Sequence, residues 1–104
     1  MYLYAGAKLR GAVSDLVGRD SQRERLQKAY IYNLSGLTAE TDVPSWFRAE
    51  FEKFQADLTR VAAKGDEGTI RATLAVIGDE EVDELCERVV SMYDRVAREQ
   101  GPLD

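Results

Sequence analysis

The sequence predicts an all-α protein, a compact bundle of four to five helices, on three observations. Apolar residues recur at intervals of three and four over most of the 104 residues. Glycine, proline and Ser/Asp caps fall where those intervals lapse. No segment alternates polar and apolar residues with β-branched enrichment, the mark of a half-buried strand. The expected helices cover residues 3–17, 21–36, 44–63, 69–77 and 79–99, within one helical domain over residues 1–104. Short connections make sequential helices antiparallel neighbours.

In the first helix Ala5, Leu9, Ala12, Val13 and Leu16 form one stripe, and Gly18 ends it. Gly6 and Gly11 each cost roughly 1 kcal/mol relative to Ala in a helix interior. Either the first turns fray or the glycines admit a close helix contact. The second helix opens with Ser21-Gln22-Arg23-Glu24. That is a capping box, with a hydroxyl at the N-cap and a carboxylate three residues on. Leu26, Tyr30, Leu34 and Leu37 share its stripe, and Ser35-Gly36 is the natural stop.

Leu37 to Val43 is expected as a loop, with Pro44 at the first position of the third helix. Phe47, Phe51, Phe54, Leu58 and Val61 then make a narrow heptad-type seam. Gly65-Asp66-Glu67-Gly68 is a tight polar turn, and Thr69 is placed to cap a short helix carrying Ile70, Leu74 and Ile77. Asp79 caps the last helix, and Glu80 and Glu81 fill its first turn, where the macrodipole favours negative charge. Val82, Leu85, Cys86, Val89, Met92, Tyr93, Val96 and Ala97 cover a wide apolar arc before Gly101-Pro102. Glu84/Arg88 and Asp94/Arg98 are favourably oriented i,i+4 pairs.

Composition removes several functions. The chain has no histidine and a single cysteine, Cys86. The Ser-His-Asp and Cys-His routes to an activated nucleophile are therefore closed, as are an intrachain disulfide and a cysteine-paired zinc site. The longest stretch without charge, Ala29 to Ala39, has eleven residues, against the roughly 18 apolar residues that suggest a membrane span. Ala5-Gly6-Ala7 has the small residues of a signal-cleavage site, but neither a basic region nor an apolar run precedes it. The expected location is the cytoplasm, away from membranes.

Net charge is −5 and uneven: residues 1–36 hold six basic and three acidic residues, residues 37–104 eight basic and sixteen acidic. Such polarity suits head-to-tail self-association or a basic partner. The densest feature is Asp79-Glu80-Glu81-Val82-Asp83-Glu84-Leu85-Cys86-Glu87, six acids in nine residues. Glu80-Glu81-Val82-Asp83-Glu84 resembles E-E-x-x-E, the first half of the Mg²⁺-binding pattern in helical pyrophosphohydrolases related to the MazG group. The resemblance covers five residues and implies carboxylates binding Mg²⁺ from one helix face. The pattern's second half, E-x-x-D on a facing helix, does not follow in this sequence.

Direct nucleic-acid binding is disfavoured on sign. A helix-turn-helix made from the last two helices would present Asp79, Glu80, Glu81, Asp83 and Glu84 to phosphates. Arg19, Arg23, Arg25 and Lys28 are the other basic cluster, without interleaved aromatics. Gly65-Asp66-Glu67-Gly68 lacks the lysine of a phosphate loop. Cys86, on the apolar arc, reads as a buried small hydrophobe.

Apolar groups off the core stripes are more informative. Tyr32 falls about 200° around the helix from Tyr30, and Ile31 about 100°. Trp46 stands about 100° off the phenylalanine seam. Either the second helix is buried on several sides, with Trp46 packed on Val43, or these groups meet a partner, as interface anchors often do. The expected function is a small acidic non-enzymatic protein acting through protein–protein interaction and self-association. Ile31, Tyr32 and Trp46 are its apolar contacts, and Glu80, Glu81, Glu84 and Glu87 its electrostatic face. No cofactor, metal site or catalytic residue is expected. The alternative is an acidic inhibitor of nucleic-acid-binding machinery, of the kind phages and mobile elements use. A third reading is a Mg²⁺-dependent nucleotide hydrolase.

Overall fold

A computed structural model describes residues 3–63, 65 and 68–99. Asp66 and Glu67 of the expected polar turn, and the expected Gly101-Pro102 stop, lie outside those residues. The chain forms α1 (Leu3–Leu16), α2 (Gln22–Ala29), a π-helical turn continuing from α2 (Tyr30–Leu34), α3 (Ala39–Asp42), α4 (Arg48–Leu58), α5 (Gly68–Val76) and α6 (Asp79–Glu99). No strand occurs among the described residues, and the fold is all-α as the periodicity predicts.

α6 is the spine, packing against α1, α2 and α4. Its ion pairs with α4 and the residues just after it run in opposite order along the chain: Glu50 meets Arg95, Asp57 meets Arg88, and Arg60, two residues past the end of α4, meets Glu81. The two helices are therefore antiparallel. α1 and α2 are antiparallel as well, because Asp15 meets Asn33 while Gly18 meets Arg25. α5 is short and bridges α2 and α4.

The phenylalanine seam is core. Phe51, Phe54 and Leu58 are fully buried, with Phe47 beside them, and they join Leu9, Leu26, Leu34, Leu85 and Met92 in one cluster. Each large apolar side chain so buried contributes about 1.5–3 kcal/mol relative to exposure. Val82, Leu85, Cys86, Val89, Met92 and Val96 fill the cluster from α6, on the arc that their spacing marks.

α4 is shorter than its apolar seam at both ends. Val43 is extended, and the Phe47 N–H donates to the Pro44 carbonyl at 3.0 Å. Pro44 thus enters a tight turn, and the helix begins four residues later, at Arg48. At the far end the Thr59 hydroxyl donates to the Gln55 carbonyl at 2.7 Å, and the Val61 N–H leaves the helix to donate to Thr73 Oγ1 at 3.0 Å. Thr73, fully buried on α5, also donates to the Thr69 carbonyl at 2.8 Å. Its hydroxyl is satisfied as donor and acceptor, as a buried polar group requires.

α3 falls inside the segment expected as a loop. The Asp42 carboxylate accepts from the Thr38 N–H at 2.8 Å, and Arg48 donates to the Ala39 and Glu40 carbonyls at 2.8 and 3.0 Å. Arg23 does similar work at the α5–α6 corner. It donates to the Leu74 carbonyl, to the Ile77 carbonyl at 2.8 Å and to Asp79 at 2.7 Å. These carbonyls are left without intrahelical donors where α5 ends.

Candidate functional site

The π turn carries the most exposed aromatic among the sequence candidates. Its wider winding is set by the Ser35 N–H, which donates to the Tyr30 carbonyl five residues back, at 2.8 Å. Asn33 anchors the inner side, donating through Nδ2 to Asp15 at 2.8 Å and to the Ala29 carbonyl at 3.2 Å. Gly11 on α1 makes room for it: a Cβ there would stand 2.2 Å from Asn33 Oδ1. Of the two expectations for the α1 glycines, Gly11 meets the close-contact one. Leu34 is buried, while Ile31 is 40% and Tyr32 67% exposed. Tyr30 is half-buried, and burial raises its phenol pKa above the ordinary value, partly offset by a hydrogen bond with Gln55.

Trp46 is 43% exposed at the mouth of the turn before α4. The Arg95 guanidinium lies 5.3 Å from its ring, and the Phe47 ring is tilted against it with centroids 5.8 Å apart. Arg95 is in turn paired with Glu50. One face of the indole is therefore held, and the rest is open.

The acidic stretch divides between two environments. Glu81 is half-buried and clasped by Arg60 through both carboxylate oxygens, one contact at 2.8 Å. That hydrogen bond holds its carboxyl below the usual carboxylate range. Glu80, Glu84 and Glu87 are exposed, and fall on one stripe of α6. Helical rise puts Glu80 about 22 Å from Arg95, the residue beneath Trp46. Glu87, about 12 Å from Arg95 on the same geometry, is the nearest of the acidic candidates to Trp46 along α6. Among the described residues no group of three His, Cys, Asp or Glu side chains is placed to hold a metal ion.

The basic cluster around α2 is largely consumed internally. Arg23 caps α5, Arg25 donates to the Gly18 carbonyl at 2.9 Å, and Lys28 pairs with Asp20. Among the described residues no helix is long and apolar enough to cross a membrane.

One feature lies largely outside the residues that the sequence singles out. An open groove of about 720 Å³ runs between the end of α1, the start of α2 and α6. Leu16, Val17, Cys86 and Val90 supply apolar lining, and Asp83, Glu87 and Asp94 supply carboxylates. The Cys86 thiol is buried, and desolvation pushes its pKa up to about 11. It packs as a small hydrophobe rather than as an activated nucleophile. The signal was available as Asp83, Glu87, Val90 and Asp94 at spacings of four, three and four, but their meeting with Leu16 and Val17 is tertiary.

The molecule is an all-α bundle with one acidic helix as its spine. Comparison with protein-family models, curated proteins and solved structures finds no match to this chain.

Proposed function

We propose that this protein acts through association with other protein chains rather than through catalysis, and that the π turn is its self-association contact. The observation that carries the reading is Tyr32 and Ile31, exposed side by side on a turn whose inner side is pinned by Asn33 and Leu34. A tyrosine presented by an ordered turn gives contact area at little entropic cost, which is why tyrosine is enriched at interfaces. π turns within helices are frequent at functional positions. Trp46, held on one face by Arg95, is a second anchor.

Light scattering across a concentration series tests the reading. The wild type should exceed 11.7 kDa as concentration rises, and Tyr32→Ser should return it to the monomer. A mass of 11.7 kDa throughout would overturn it.

The exposed stripe of Glu80, Glu84 and Glu87 favours a second reading, an acidic face that occupies a basic groove on nucleic-acid-binding machinery. A complex of that kind weakens steeply with salt, while an apolar contact barely responds.

A further inference from the structure

We propose that the groove between α1, α2 and α6 docks a basic amphipathic helix of a partner protein. This rests on the reading of the chain as an interaction protein, but uses a surface separate from the π turn.

The groove has the dimensions for such an occupant. Asp83, Glu87, Val90 and Asp94 fall within about 40–60° of one another around α6 and extend over about 16 Å, close to three helical turns. The apolar contribution is unspent: Val17 is 79% and Val90 48% exposed, where a protein of this size gains by covering such groups. A helix laying apolar residues at i, i+3 and i+7 against Val17 and Val90 would cover both.

Charge selects the occupant. Asp83 and Glu87 make no ion pair among the described residues, and Asp94 shares Arg98 at 3.0 Å. Arg25, the cation beside Cys86, donates to the Gly18 carbonyl. Lysines or arginines flanking the apolar stripe of a docked helix would meet Asp83 and Glu87. An acidic segment or a nucleic acid would be repelled. In a second copy Arg23, Arg25 and Lys28 of the basic half are engaged internally, which leaves Lys8, Arg10 and Arg19 as the cations of that half for such a groove; loss of self-association on charge reversal separates that occupant from a partner helix.

The test uses a fluorescein-labelled helical peptide with leucines at i, i+3 and i+7 and flanking lysines, and a twin with glutamates in place of the lysines. Binding is read by fluorescence anisotropy. The lysine peptide should bind saturably, and at least about tenfold more weakly to the double variant Asp83→Lys/Glu87→Lys and to Val90→Asp. Circular dichroism confirms that each variant remains helical. The glutamate peptide should bind the charge-reversed protein alone. Tyr32→Ser should leave lysine-peptide affinity unchanged, and the reversed variant should keep wild-type self-association. No saturable binding of the lysine peptide, or equal affinity after charge reversal, would overturn the groove assignment and leave the π-turn reading standing. Self-association lost on charge reversal would also overturn it, by making the groove a contact between copies.

Discussion

Asp57 and Arg88 meet at 2.8 Å across the α4–α6 seam, with the Arg88 guanidinium 5.4 Å from the Phe54 ring. Both side chains are about three-quarters buried. The pair is the middle rung of three, between Glu50–Arg95 and Arg60–Glu81, and it locks the register of the phenylalanine seam against the spine helix.

Arg88 holds the Asp57 carboxyl below its ordinary pKa, with Lys53 assisting at 3.1 Å. A depressed folded-state pKa contributes stability above the ordinary carboxylate value, and that contribution is lost as pH falls through the folded value. Arg88→Met should therefore destabilise the protein at neutral pH by about 1–2 kcal/mol, counting the ion pair and the stacked ring. It should also flatten the acid limb of the stability profile. Urea melts from neutral to acid pH check both, and a wild-type acid limb in the variant would refute the coupling.

Phe54→Ala removes a fully buried ring from the centre of that seam. The expected loss is about 3–5 kcal/mol. Denaturant unfolding measures it directly. A loss below about 1 kcal/mol would place the seam outside the core.

Gly11 and Asn33 give a prediction whose sign depends on background. Gly11→Ala gains about 1 kcal/mol of helix propensity. Its Cβ would displace the Asn33 side chain and break the bonds to Asp15 and Ala29. Each lost bond costs about 1 kcal/mol. The single substitution should be destabilising by about 1 kcal/mol, whereas in an Asn33→Ala background it should stabilise by a similar amount. Additive effects in the double-mutant cycle would mean that the close approach is absent.

The helices were legible where local chemistry decides them. α1, α5 and α6 lie within a residue of their expected limits, because glycines and the apolar arc of α6 are local signals, although Thr69 and Asp79 fall inside their helices rather than at the cap positions expected of them. α4 was not, because its last turn is ended by Thr73, a hydroxyl brought from another helix. α3 has the same kind of cause: Arg48, beyond the turn, holds it. The π turn carries no pattern of its own. The bond that defines it, Ser35 N–H to the Tyr30 carbonyl, is main-chain, and Asn33 reaches Asp15 only when α1 and α2 pack. Among the candidate site residues, the angle of Tyr32 put it off the Leu26/Tyr30/Leu34 stripe but left burial against another helix open, and its 67% exposure is a tertiary result. The capture of Glu81 by Arg60 was not legible either, since it needs the α4–α6 register.

The central claim is that the π turn is where copies of this chain meet. Amide chemical shifts recorded along a dilution series test it most directly. Resonances of Ile31, Tyr32 and Asn33 should move with concentration and stop moving in Tyr32→Ser, while those of Val17 and Val90 in the groove stay fixed. Shifts independent of concentration at Ile31 and Tyr32, or movement confined to the groove, would contradict it.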